Sequence, residues 1–201
     1  MSADRVADGQ LAVVVTYLEM TARPASLDVP DSPLSLRRID RPDPGRYRAL
    51  FRQVGQRWLW FSRLVMSDDK LRAILDDLEV ELYAVIDENG REAGMLELDF
   101  RERGRCEIAY LGLVPELAGR GHGRWLLAQA LRLGWREGVT HLEVHTCTLD
   151  HPAALPAYLR TGFRPFEREI ERFPDPRLIG VLPPDCAPQV PLLGTVTSPA
   201  S

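Results

Sequence analysis

The sequence predicts a mixed α/β fold: a twisted, mostly antiparallel sheet with helices on its faces. Three observations carry that expectation. Leu111–Leu127 runs from an apolar strand through a loop bearing Gly119, Gly121 and Gly123 straight into an amphipathic helix. Asn89-Gly90 stands between two apolar runs, a strong hairpin signal because both turn residues tolerate positive φ. The order of elements is strand, two helices, antiparallel hairpins, then strand–helix–strand–helix–strand.

Taken in order, residues 1–10 are polar. Leu11–Met20 is apolar and β-branched and reads as a strand. Pro24, Pro30 and Pro33 make residues 22–33 an irregular connection. Leu34–Ile39 reads as a short strand. Asp43-Pro44 opens a helix carrying Tyr47, Leu50, Phe51 and Val54 at helical spacing, closed by Gly55. An aromatic cluster with Trp58, Trp60 and Phe61 follows. Ser67-Asp68-Asp69 caps a second helix through Leu71, Ile74, Leu75 and Leu78. Val80, Leu82, Ala84 and Ile86 alternate as a half-buried strand, and Ala93–Phe100 returns. Cys106–Val114 leads to the glycine loop and a helix over 122–137 that Gly138 ends. Thr140–Thr148 is a strand, His151–Arg160 a short helix and Phe163–Phe173 the last strand. Pro156 places the regular part of that short helix from about itself onward, with Tyr158 in its first turn and Asp150 or His151 forming the capping turn. The domain plan is an N-terminal strand and connection at 1–33, a main domain at 34–173 and a proline-rich tail at 174–201, expected as loose coil.

The 201 residues suffice for one domain with a sizeable core. With 45% hydrophobic and 27% charged residues the chain reads as globular. A net charge of −4 carries no footprint of nucleic-acid binding. Cys106, Cys147 and Cys186 form no metal-type spacing, so no metal is expected, and their odd number fits a reducing compartment. The longest early apolar run, Leu11–Val15, is too short for a membrane span or signal core. The expected location is cytoplasmic, without membrane partners.

The glycine loop has the makings of an anion site. Glycines let the backbone turn sharply and approach a ligand. The first turn of the following helix offers N–H groups without internal partners and a positive dipole end. Arg120 and Arg124 flank it. The loop is neither a dinucleotide fingerprint nor a Walker loop, since no matching acidic residue and no Gly-Lys-Ser/Thr follow.

Val114-Pro115, Gly119-Arg120-Gly121-His122-Gly123 and Leu126-Leu127 resemble the acetyl-CoA motif of GNAT N-acetyltransferases, Gln/Arg-x-x-Gly-x-Gly/Ala. Gly121 and Gly123 fill its glycine positions, while Ala118 departs from its Gln or Arg. A second block, His151…Ala154…Tyr158…Gly162-Phe163, resembles the family's Asn-x-x-Ala-x-x-x-Tyr-x-x-x-Gly-Phe, with His151 at the Asn position. The resemblance covers roughly 34–173. It implies that the strands flanking the glycine helix splay apart and that acetyl-CoA lies between them as cosubstrate. Backbone groups of Leu113 and Val114 would pair with the pantetheine arm, amides from Arg120 through Gly121, His122 and Gly123 to Arg124 would hold the pyrophosphate, and His151 would lie beside the cofactor. Tyr158 would protonate the leaving thiolate; the alternative is an aromatic packed under the last strand.

An amine acceptor must lose a proton before attack. Glu107 is the favoured base, on a strand face with Ala109, Leu111 and Leu113, where desolvation would raise its pKa. A solvated edge glutamate is the alternative. Glu97 is next and Asp99 behind it. His145 reads as a structural hydrogen-bonding group. Trp58, Trp60 and Phe61 fall in the acceptor region of the family and could cage an ammonium group; core packing is the alternative. The implied activity is acetyl transfer to a primary amine of a small molecule or peptide, by direct attack. A non-catalytic acyl-CoA-binding module and transfer of a longer acyl group remain as alternatives. The family resemblance allows a homodimer, and no residue pattern requires one.

Overall fold

The computed structural model describes residues 3–194. Pro199 and the expected mobile end of the tail lie outside them. Seven strands form one sheet: β1 (Gln10–Met20), β2 (Ser35–Ile39), β3 (Val80–Ile86), β4 (Glu92–Asp99), β5 (Arg105–Leu113), β6 (His141–Cys147) and β7 (Arg164–Pro174). Their spatial order is β2-β3-β4-β5-β6-β1-β7. Every pairing is antiparallel except β5 with β6. The helices are α1 (Pro44–Gly55), α2 (Asp68–Leu75), α3 (His122–Gly134) and α4 (Ala154–Thr161). Among the described residues no helix is long and apolar enough to cross a membrane.

Local chemistry sets most boundaries. The Asp43 side chain accepts from the amides of Gly45 and Arg46, and Pro44 occupies the first turn, where its missing N–H costs nothing. Ser67 caps α2 in the same way. That helix stops at Leu75, short of Leu78, because Asp77 turns its carboxylate onto the amide of Glu79 and competes with the helical pattern. Leu78 is left exposed. The helix expected over 122–137 likewise ends at Gly134, where Trp135 leaves the helical path and is buried. A Cβ on Gly134 would come within 2.5 Å of Leu142, so the glycine lets α3 lie close against β6. α4 begins at Ala154, within the expected His151–Arg160 span and two residues before Pro156, where its regular part was expected to start. Pro156 is tolerated within its first turn, and Tyr158 falls in the second.

The sheet has two covered faces. On one, α3 and α4 bury Ile108, Leu126, Ala130, Val144 and Tyr158. On the other, α1 and α2 bury Tyr47, Phe51, Leu71 and Met95. β1 enters between β6 and β7, antiparallel to both. The proline-rich stretch, expected as loose coil, is irregular but packed. Leu182 and Ala187 are buried with Leu59 from the aromatic loop. Arg177 is 2% exposed, pairs with Asp175 at 2.7 Å, and donates to the carbonyls of Ala187 and Val190. One guanidinium thus ties down a segment without backbone ladders of its own.

Arg177→Ala strands the buried Asp175 carboxylate and frees three carbonyl contacts. Its expected cost is about 3–5 kcal/mol of stability, read by denaturant unfolding. A loss below 1 kcal/mol would show that the segment is not held by this pair.

Candidate active site

β5 and β6 pair only from Arg105/His141 to Ile108/Val144. Beyond that point they part. The register of β5 on β4 shifts between Glu97/Tyr110 and Leu98/Ile108, so Ala109 is an extra residue at the same place. A bulge bends its strand and increases local twist, which turns the rest of β5 away from β6. Past the bulge, Ala109 to Leu113 have no ladder partner on the β6 side. The gap opens a cavity of about 710 Å³.

One end of the cavity is the glycine loop. Gly119, Gly121, Gly123 and Arg124 line it, together with Leu113 and Val114. Gly119 has φ 75 and Gly121 φ 83, backbone that disfavours side chains. Gly121 caps α3 without any side-chain hydrogen bond; the Arg124 amide is taken by the Gly121 carbonyl, which leaves the amides of His122 and Gly123 for a ligand. A Cβ on Gly121 or Gly123 would meet no protein atom within 4 Å. The positive φ of Gly121 already calls for a glycine there; at Gly123 neither backbone angle nor protein packing does, whereas a ligand lying against the backbone would. This cradle fits the diphosphate of a CoA thioester. Arg120 and His122 do not line the cavity. His122 turns its Nδ1 to the Ser32 hydroxyl at 3.3 Å, tying the loop to the N-terminal connection.

Tyr158 lines the cavity from α4 and is 7% exposed. Its ring packs edge-on against Phe163 at 5.9 Å. Burial pushes its phenol well above the ordinary value, and the Asp150 charge adds to this. The hydroxyl thus keeps its proton across neutral pH.

Another part of the lining is aromatic. Trp58, Trp60, Phe61 and Phe173 line it. Trp58 packs edge-on against His151 at 5.0 Å, and the Phe61 ring lies tilted against Phe173 at 4.9 Å. The His151 ring accepts from the amide of Ala153, so it shapes the turn before α4 as well as the cavity wall. Trp60 lies against Phe51 and Tyr110 and donates its indole N–H to Asp150 at 3.1 Å. Asp150 also accepts from the Thr146 hydroxyl and the Cys147 amide. Sequence reasoning placed Asp150 only as a helix cap. Its spacing from Trp60, 90 residues away, carries no signal in the chain.

The carboxylates separate. Glu97 is fully buried, accepts from the Tyr47 hydroxyl, and pairs with Arg63 at 2.6 Å. It does not line the cavity. Burial opposes the Arg63 charge, but Glu97 and the Tyr110 and Tyr47 oxygens overcome this and hold the guanidinium above its ordinary value. Asp99 is taken up by Arg101. Glu107 is not desolvated among apolar side chains as its strand face suggested. Its side chain is 43% exposed and meets His145 Nδ1 at 3.1 Å. The apolar neighbours expected of it lie beyond the Ala109 bulge, which breaks the alternation. His145 lines the cavity. The Glu107 hydrogen bond raises its pKa against the effect of burial, with the charges of Glu107, Asp150 and Glu171 adding.

With this geometry in hand, comparison with known proteins is direct. The acetyltransferase (GNAT) family profile matches residues 52–163, more than half of the chain. The chain belongs to that family. No curated protein sequence matches it. A GCN5-related N-acetyltransferase from Sphaerobacter thermophilus shares the fold at TM-score 0.54 and 17% identity, over 83% of this chain and 52% of that one. This chain therefore spans about half the length of that relative. AAC(6')-Iy, solved with the bisubstrate analogue CoA-S-monomethyl-acetylneamine, aligns at TM-score 0.51 and 19% identity, over 69% of this chain and 95% of that one. An aminoglycoside acetyltransferase from an uncultured soil metagenomic sample, solved with sisomicin, aligns at TM-score 0.51 and 17% identity, over 65% and 88%.

Glu97→Gln leaves the Arg63 guanidinium without its buried counter-charge. The expected cost is on the order of 3 kcal/mol in unfolding free energy. Unchanged stability would mean that the pair is not a structural element.

Proposed function

We propose that this chain is an acetyl-CoA-dependent N-acetyltransferase whose acceptor is a primary amine of a small molecule or peptide. One observation carries the reading: the parted strands open a cavity lined by the glycine cradle, by aromatic and acidic groups and by Tyr158. Backbone amides of Gly121 and Gly123, with Arg124, hold the diphosphate of the thioester. Ladder groups of Leu113 pair with its pantetheine arm; those of Val114, expected to share this task, are taken, its amide by the Ala93 carbonyl and its carbonyl by the Leu117 amide. Trp58, Trp60 and Phe61 receive the acceptor.

Direct attack by the amine is the favoured route. Cys147 is the cysteine lining the cavity, and burial, then the Asp150 charge, push its thiol up to about 11. Too little thiolate forms near neutrality for an acetyl-cysteine intermediate. The amine nitrogen adds to the thioester carbon, the C–S bond breaks, and the CoA thiolate takes the Tyr158 proton. A protonated phenol at working pH suits that task. Sisomicin, the ligand of a structurally similar aminoglycoside acetyltransferase, is a natural first member of an acceptor panel, beside polyamines, amino acids and a lysine peptide.

The deciding experiment is calorimetric titration with acetyl-CoA followed by thiol release over that panel. Binding and turnover on an amine are expected. Binding without release on any amine would instead favour an acyl-CoA-binding module, and no binding would remove the reading. Gly123→Asp places a carboxylate in the cradle, where its Cβ clashes with no protein atom. Acetyl-CoA affinity should fall at least tenfold, about 1.4 kcal/mol, with thermal stability kept. Tyr158→Phe should bind acetyl-CoA normally and lose roughly a hundredfold or more in kcat. Unchanged turnover would remove Tyr158 as the acid.

A further inference from the structure

We infer that His145 is the proton acceptor for the attacking amine and that Glu107 is the positioning residue that orients it. The inference rests on the transferase reading above and deepens it at the same site. It reverses the expectation that Glu107 is itself the base.

Placement is the first argument. The last paired residues of the two parting strands are Ile108 and Val144, and His145 is the next residue along β6. It stands where the gap begins. Val144 is buried against the α3 and α4 face, as is Tyr158. Strand alternation puts His145 on the opposite face. The acid and the proposed base thus reach the cavity from opposite sides of the sheet, so neither has to serve both the thiol and the amine.

Chemistry is the second. Among the described residues His145 Nδ1 meets one side-chain hydrogen-bond partner, the Glu107 carboxylate at 3.1 Å. A carboxylate accepts only, so Nδ1 carries the proton and Nε2 keeps a lone pair. Of the other carboxylates, Glu171 also lines the cavity, from the edge strand β7, and acts on His145 as a charge. Glu97 is locked to Arg63 and Tyr47, and Asp150 accepts three hydrogen bonds. The groups facing His145 are Glu107 from β5, Tyr17 from β1 with its ring 5.8 Å away, Cys147 two residues on along β6, Glu171 from β7 and Asp150 beyond β6. Glu169 is bonded to the Tyr17 hydroxyl. Negative charge on three sides stabilises the imidazolium once it forms and favours a cationic amine on approach.

The step balances. The ammonium first releases one proton to solvent; the neutral amine then forms the C–N bond and passes its next proton to Nε2. The C–S bond breaks and the thiolate is protonated by Tyr158. The imidazolium then releases its proton to solvent, and Tyr158 regains one.

The test is the pH dependence of kcat/KM on the panel amine turned over best, with acetyl-CoA affinity measured in parallel. His145→Gln should lose roughly a hundred- to ten-thousand-fold in kcat, keep its acetyl-CoA affinity, and lose the ascending limb that the imidazole imposes. Glu107→Gln removes the charge that raises the His145 pKa and leaves only a neutral acceptor for Nδ1–H, so the limb should survive and move to lower pH. A purely structural histidine would move neither limb. Wild-type kcat and limb in His145→Gln would overturn the assignment while the transferase reading stands. If that variant misfolds, a Glu107→Gln limb unmoved or moved to higher pH overturns it. Wild-type protein that binds acetyl-CoA and acylates no amine overturns both readings together.

Discussion

Where β5 and β6 part, the sheet gives up ladder hydrogen bonds that it could have continued, and the rest of the molecule is arranged around that gap. Two causes act together. The Ala109 bulge twists β5 away, and β6 keeps a partner on its other side because β1 runs antiparallel to it through Val15/Cys147. Unpaired backbone groups in a protected place are costly, about 1–3 kcal/mol each. A ligand with amide groups of its own can repay them, which suits the gap to the cosubstrate proposed for it.

The walls of the gap are held by interactions that do no chemistry. Arg63 and Glu97 fix the end of the aromatic loop against α1 through Tyr47, and Arg63 lies over the Tyr110 ring at 5.2 Å. A Cβ on Gly112 would come within 2.6 Å of Val54, so that glycine is what allows α1 and Trp60 to pack onto β5. From the other side, the segment after β7 covers Leu59, and Gln189 donates to the carbonyl of Arg57 at 2.6 Å. The aromatic loop has little regular structure of its own; it is held in place by contacts from α1 and from the far C-terminal segment.

Burial also sorts the ionisable groups. The deepest carboxylate, Glu97, has an opposing guanidinium and a phenol, and such a group is spent on structure. The partly exposed pair of His145 and Glu107 keeps one nitrogen uncommitted. Tyr158 is held neutral by its apolar surroundings. Proton donors and acceptors in this site follow from how much water and counter-charge each side chain was left with, not from residue type alone.

Much of this was legible in the chain. Strand and helix positions follow from apolar periodicity, Asp43 and Ser67 announce their helices, and the glycine loop with the Tyr158 block pointed to the family and its cosubstrate. These signals are local, set by backbone conformation and spacing within some twenty residues. Tertiary structure alone decided the rest. The bulge at Ala109 shifted the faces of β5 and left Glu107 half-exposed; β1 entered the sheet beside β6; the proline-rich segment became a packed brace. It also joined His145 to Glu107, and Asp150 to Trp60, across 38 and 90 residues of sequence. The sequence determined which elements form and where an anion could bind, because those depend on neighbours along the chain. Which side chains meet in the cavity, and with what charge, depends on strand pairing and desolvation, which exist only once the sheet has closed around them.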